Sequence, residues 1–469
     1  MKPLTIAAVV SVFASAALAQ EEQFPILFTN VHVFDGVNEE RIENANVLVV
    51  GNLIAEVSSE PLAVANGRII DGGGRTLMPG IIEGHGHLML SVDATSWFNT
   101  HDVFYIGAAA AKEAENYLMR GWTTVRDIGG PVEGVHRAIE DGRIVGPRIY
   151  GSGPIVGQTS GHGDFRQNND PHPNMVDYKQ PFYDHFSFIA DGPAEVQRAV
   201  REALRRGAVQ IKVMAGGGVS SSIDPLYTVQ YSAEEFQAAT EAAADYGTYV
   251  AVHAYNDTSI IRAIENGVKV IEHGTLMTEA AAEVIRDNDA WLSPSCQVLQ
   301  LPEEAVAFLS EASRKKFFEA KEGLDNQMRL IKEYDLKTAF GTDLFGTPEN
   351  FAATPLELTC LEQYFTPAEV LIRATSGNGE LLALTGERNP FPSGSLGVIE
   401  AGAYADILLV NGNPLEGTEI RVSTAEQKPA TWRCKTRPLA ARQAPWRARS
   451  PHSWRVPWRI GPQGQSCDW

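Results

Sequence analysis

The stretch GIIEGHGHLML, Gly80–Leu90, decides how the rest of the chain is read. It is apolar enough for a buried strand, yet it carries His85 and His87 two residues apart. In a strand, residues i and i+2 face the same side, so both imidazoles project together, with Glu83 on that side too. Buried imidazoles need partners, and a divalent cation satisfies both. An HxH pair alone is a weak signal, so the rest of the chain must supply further ligands and further strands.

Seven more runs of the same kind follow. They are TTVRDIG from Thr123, RIYGSGPIV from Arg148, AVQIKVMAG from Ala208, YVAVHAYN from Tyr249, VKVIEHGTL from Val268, WLSPSCQV from Trp291 and KTAFGTDLF from Lys337. Intervening stretches such as 232–246 and 302–334 are rich in Ala, Glu and Leu at helical spacing. Alternating strand and helix units imply a parallel sheet, and eight of them predict an α/β fold with a closed (β/α)8 TIM-like barrel over residues 79–385. An open, doubly wound sheet competes. The barrel is preferred because candidate polar residues recur near strand C-terminal ends, where barrel enzymes place their sites. The flanks read as β: ILFTNVHVF and NVLVVGNLIAEVS before the barrel, SLGVIEAGAYADILLV after it. They predict a small composite β domain built from residues 20–78 and 386–427. Residues 157–191, rich in Gly, Asp, Asn and Pro, read as a long loop of the functional or disordered kind.

The formal charge of -19 over 469 residues argues against nucleic acid as a partner, which would demand clustered Lys and Arg. Lys2, a short apolar run and Ala17-Leu18-Ala19 describe a secretory signal peptide over residues 1–19, so an exported protein with no integral membrane segment is expected. Four cysteines without CxxC spacing argue against a thiolate zinc site; a disulfide is possible, but the sequence does not pair them. The tail, 428–469, holds nine Lys or Arg against one acid and five of the eight Trp. Lacking strand or helix periodicity, it reads as an unstructured or out-of-frame end rather than a surface for anionic partners.

The chemistry lies on the strands. Besides His85 and His87 they carry Lys212, His253, His273 and Asp343. Each alone has an ordinary explanation as a hydrogen-bonded core residue, an ion-pair partner or a cap. Six together in one barrel are hard to bury separately, because unpaired buried charges each cost roughly several kcal/mol. A shared cation cluster offsets those costs. Four imidazoles, a carboxylate and a lysine match two metals better than one, and zinc accepts nitrogen and oxygen ligands. An ammonium cannot ligate. Crowded by cations, Lys212 would lose its proton, and the free amine can take up CO₂ as a carbamate that bridges two metals.

With these residues in place, the chain resembles the amidohydrolase superfamily of metal-dependent hydrolases in its two-metal form. HGH, the Lys212 strand, VAVHA, IEHG and GTD follow that family's order, and the likeness runs from about Ile26 to Leu415. It implies that His85, His87 and Asp343 hold one metal and His253 and His273 the other, with carboxylated Lys212 between them. Water activated between the cations would attack the amide carbonyl, and Asp343 would pass its proton to the leaving nitrogen. SGHGD (160–164) and QYSAEE (230–235) resemble the subgroup of Xaa-Pro and related dipeptidases, carboxypeptidase-like enzymes and ochratoxin-hydrolysing amidases. On that likeness His162 and Tyr231 orient or polarise the substrate carbonyl. The expected substrate is a dipeptide or N-acyl amino acid, and the family favours a homo-oligomer. Two rivals remain: hydrolysis of a cyclic amide, as in imidazolonepropionase relatives, and a non-catalytic surface binder that uses the tail. After NPLEGTEI the family pattern breaks, which leaves the closing strands of the β domain in question.

Overall fold

The computed structural model describes residues 24–92, 102–166, 169–177, 185–221, 223–307 and 309–418. The signal peptide and the basic tail expected from the sequence lie outside them.

Five strands from both ends of the chain form one sheet. They are β1 (Ile26–Val33), β2 (Ile42–Val50), β3 (Leu53–Ser58), β4 (Arg68–Pro79) and β14 (Ile407–Val410), in the order β14-β4-β1-β2-β3. Only β1 and β4 run parallel. Alternating burial along β1 and β2 puts Val31, Val33, Ala45 and Val47 into a core of this sheet's own. β4 leads into β5 (Ile81–Gly86) across a single residue, Gly80. A side chain at Gly80 would collide with Thr123, and its amide donates to the Asp406 carbonyl (2.7 Å).

The rest of the chain alternates strand and helix. A three-stranded parallel sheet joins β5, β6 (Trp122–Asp127) and β7 (Arg148–Gly151). A six-stranded parallel sheet has the order β13-β12-β11-β10-β8-β9, from β8 (Ile155–Gly157), β9 (Ser187–Ile189), β10 (Ile211–Met214), β11 (Val250–Asn256), β12 (Val270–Leu276) and β13 (Trp291–Ser293). β6, β11 and β12 are buried on both faces, as central strands of parallel sheets flanked by helices require.

Two features depart from the expected closed ladder of eight. The third run breaks around Ser152–Pro154 into β7 and β8, which belong to different sheets. The eighth run makes one parallel bridge, Thr338 to Leu292, and no ladder. Its backbone is satisfied singly instead: Leu292 donates to Lys337, Gly84 to Phe340 and Asp343 to His85. Asp343 itself is left-handed (φ 53°), which ends any extended run there. The fold observed is therefore mixed α/β with two parallel sheets. Part of the long 157–191 segment is also a strand, β9, rather than loop throughout.

Apolar spacing marks one helix and a cap another. Helix Pro193–Arg206 buries Val196, Ala199, Val200, Ala203 and Leu204, at i, i+3, i+4, i+7 and i+8. Helix Ala233–Ala244 opens with a capping box between Ser232 and Glu235, a device whose hydroxyl contributes roughly 1 kcal/mol. Among the described residues no helix is long and apolar enough to cross a membrane.

Cys296 and Cys360 form a disulfide across 64 residues, with Cα atoms 5.9 Å apart. A cross-link of that span restricts the unfolded chain, by about 2–4 kcal/mol. Replacing both cysteines by alanine should lower the denaturant midpoint. Reductant should shift the wild type the same way and leave the double variant unmoved; equal midpoints throughout would mean that the bond adds no stability.

Candidate metal centre

The strand ends bring most of the predicted residues together. β5 delivers His85 and leads into His87; the eighth run delivers Asp343. One ligand atom from each lies within 4.8 Å of the others. Asp343 Oδ1 is 3.3 Å from His85 Nε2 and 3.1 Å from His87 Nε2. Its Oδ2 is 3.8 Å from Nδ1 of His273, on β12. The rings of His273 and His253, on β11, follow at 4.5 Å between centroids. Lys212, on β10, is buried, and its charge bears on His85, His253 and His273. His273 and Asp343 both hold left-handed backbones (φ 70° and 53°). Such conformations cost about 1–3 kcal/mol each and collect at functional sites.

Three of the imidazoles have one nitrogen already committed. His85 Nδ1 faces Glu272 Oε2 (2.9 Å). His87 Nδ1 faces the Gly129 carbonyl (3.3 Å), and His253 Nε2 the Gly217 carbonyl (3.1 Å). Carbonyls and carboxylates only accept, so those nitrogens carry the proton. Of the others, His253 Nδ1 keeps its lone pair, whereas His85 Nε2 and His87 Nε2 both face the Asp343 carboxylate, so a cation held there would take the place of any proton between them. A fixed second nitrogen of this kind is what ligating histidines require.

Electrostatics agree. Burial, with help from His162, His273 and Lys212, holds His253 well below the usual histidine range. Burial brings His273 down to about 3, and it also lowers His85 against the pull of Asp343 and Glu272. His87 is the exception: burial opposes its charge, but the hydrogen bond to Asp343 wins and raises it. Burial would raise Asp343, yet His85, His87 and His273 hold it far below the carboxylate range. Burial lowers the Lys212 amine to about 8. The set is an ionised carboxylate, mostly neutral imidazoles and an amine that deprotonates easily, which fits a divalent cation.

Behind the ligands lies a pair that sequence reading missed. Arg126, on β6, is fully buried and donates to Glu272 (2.8 Å), to the Gly84 carbonyl (2.6 Å) and to the Tyr249 hydroxyl (3.0 Å). Glu272 thus pairs with Arg126 through one oxygen and with His85 through the other. The clue was available: an Arg and a Glu inside apolar strands almost never bury unless paired. Glu83 does not join the centre despite its register. Its carboxylate accepts the His85 and Thr342 amides and the Thr342 hydroxyl, and burial pushes it up to about 7.

His162 is brought in and Tyr231 is not. The His162 ring stacks on His253 at 4.1 Å and 13°, with Nδ1 held by Asp224 (3.0 Å). Tyr231 precedes the N-cap Ser232 and packs edge-on against Phe236, four residues into the helix, as a hydrophobic staple. Its hydroxyl donates to the Ala190 carbonyl (2.9 Å).

With this geometry in view, residues 76–439 match the sequence profile of the Amidohydrolase family. The chain belongs to the amidohydrolase family. This amidohydrolase is 31% identical to ochratoxinase from Aspergillus niger over 395 residues, 81% of this chain and 80% of that protein. The crystal structure of A. niger ochratoxinase superposes with a TM-score of 0.74 at 29% identity, covering 86% of this chain and 92% of that one. A prolidase complexed with N-methylphosphonate-L-proline is similar at 32% identity and a TM-score of 0.75, over 84% of this chain and 95% of the other. A Xaa-Pro dipeptidase with bound methionine gives 28% and 0.73, over the same shares. The amidohydrolase described here is accordingly a hydrolase of amide C–N bonds, and its His85–His87–Asp343 group can hold a metal.

Proposed function

We propose that the protein is an exported, two-metal amidohydrolase that cleaves the amide bond of dipeptides or N-acyl amino acids. The observation that carries this reading is the convergence of Asp343 on His85, His87 and His273, with the second nitrogens of His85, His87 and His253 committed elsewhere. The relatives named ochratoxinase, prolidase and Xaa-Pro dipeptidase support the substrate class. Single hydrogen bonds support closing the two sheets into a barrel: Leu292 to Lys337, Gly84 to Phe340 and Val209 to Gly151. The disulfide supports export, since such bonds persist in oxidising compartments. Assembly into a homo-oligomer rests on the family resemblance.

His85, His87 and Asp343 would hold one cation, His253 and His273 a second, and N-carboxylated Lys212 would bridge them; zinc suits the donor set. Bound there, the cations supply Lewis acidity and an acidified water. Asp343, ionised and facing three imidazoles, receives the proton of the attacking water and returns it to the departing nitrogen. His162 lies beside this centre and orients the amide carbonyl. Glu272 and Gly129 keep His85 and His87 from turning away.

Metal content tests the centre. Protein purified without chelators and with ¹³C-bicarbonate should carry about two zinc-class ions per chain, together with a carbamate ¹³C signal that Lys212→Ala removes. One ion per chain and no carbamate would withdraw the bridged site. Linear N-acyl amino acids and dipeptides should turn over faster than ring amides, and the reverse order would withdraw the substrate class.

A further inference from the structure

One buried amine ties the loop after β10 to a distant helix. Lys316 lies on helix Glu311–Glu333 with its side chain 9% exposed. Its ammonium donates to the carbonyls of Gly218, Ser221 and Asp224, and the Asp224 carboxylate lies 3.8 Å away. An ammonium has three protons and no lone pair. Three carbonyls use all of them, so Lys316 has no donor left for a substrate carboxylate.

The segment held this way, residues 216–221 with 223 and 224, touches the centre twice. The Gly217 carbonyl takes the Nε2 proton of His253 and leaves Nδ1 as its lone pair. Asp224 Oδ2 takes the Nδ1 proton of His162 while also accepting the Gly218 amide (both 3.0 Å). That leaves His162 Nε2, 3.4 Å from Ser220 Oγ, as an acceptor. Gly218 lies flat against the His162 ring, where any Cβ would collide with it. The two stacked imidazoles are thus set from a single stretch of chain, and Lys316 fastens three of its carbonyls.

We propose that Lys316 is a positioning residue that acts through this loop on both histidines, fixing the nitrogen His253 presents to a metal and the nitrogen His162 presents to the substrate. The His162 half rests on the function proposed above; the His253 half requires only that a cation bind.

The test uses full-length Lys316→Met, His162→Ala, the double variant and Gly218→Ala. Cobalt(II) affinity is read by visible absorption, and kcat and KM on the best N-acyl amino acid or dipeptide. Lys316→Met is expected to weaken the looser cobalt ion about 10- to 100-fold and to lower kcat by a similar factor, with KM within about threefold. With cobalt saturating, its effect on kcat should shrink to within about threefold in the His162→Ala background, because the part that remains in kcat runs through the His162 ring, while the loss of cobalt affinity, which runs through His253, persists. Gly218→Ala, which drives a methyl group into the His162 ring beside the Gly217 carbonyl, should lower both kcat and cobalt affinity. A folded Lys316→Met with wild-type cobalt affinity, or kcat losses that simply multiply, overturns the proposal. Should that variant fail to fold, Lys316→Gln, which restores donors without the charge, must move both readouts in the same direction or the proposal falls. Wild-type kcat in His162→Ala would remove the substrate role of His162 and with it that half of the proposal, leaving the cobalt result to decide the other half.

Discussion

Asp343→Asn is expected to lower kcat by about 10²- to 10⁴-fold, the range general acid–base groups contribute, while the protein stays folded. The backbone tolerates the change, because Asn adopts the left-handed conformation of Asp343 more readily than most residues. The carboxyl is the part that matters. It faces His85, His87 and His273, which hold it ionised against its burial, and an amide can neither take nor return the proton. Turnover should be compared at equal metal content, with far-UV circular dichroism to confirm the fold. Activity within tenfold of the wild type would take the proton-carrying role from Asp343.

Glu272→Ala should be the most damaging single change to stability, at roughly 3–5 kcal/mol, because removing one partner of a buried pair leaves the other charge uncompensated. The stranded charge is Arg126, fully buried. Adding Arg126→Met should recover part of the loss, since it removes that charge. If the double variant is less stable than Glu272→Ala alone, the buried pair is not the reason. The sign with pH follows from the carboxyl. Burial opposes its ionisation, but Arg126 and His85 hold it well below the ordinary range. Its stabilisation is therefore present above the unfolded-state value near 4.3 and fades as pH falls through the folded value. The gap between wild type and variant should narrow in acid. His85 also loses its acceptor, so metal affinity should drop about 10- to 100-fold.

Both predictions concern strand residues, and the contrast between them shows what a sequence can display. His85, His87, Lys212, His253, His273 and Asp343 were legible because a titratable side chain in an apolar strand demands an explanation. Arg126 and Glu272 made the same demand and were passed over, since their pairing spans 146 positions and appears only when β6 and β12 face one another. The Gly129 and Gly217 carbonyls that fix two imidazoles are backbone atoms, for which no letter of the sequence stands. Tyr231 was read by likeness to a motif; in the fold its ring lies against Phe236 and its hydroxyl donates to Ala190. The parallel α/β pattern was visible in the eight runs. The break in the third and the bare eighth were not, because they depend on which neighbour satisfies each amide. Cys296 and Cys360 could be counted but not paired until the chain folded.

The single residue between β4 and β5 places the chain under a phase constraint. β4 is anchored on one side of Gly80 by β1 and β14, and β5 on the other by β6, so neither strand can slide to absorb a change of length. Inserting or deleting one residue there would invert the alternation of β5 and turn His85 and His87 to its opposite face. A two-residue change would restore the face but shift both imidazoles by about 6.6 Å along the strand, out of reach of Asp343. Length variation among proteins built on this plan should therefore fall in the connections beyond the strand ends and spare this junction, where one codon more or less costs the whole centre.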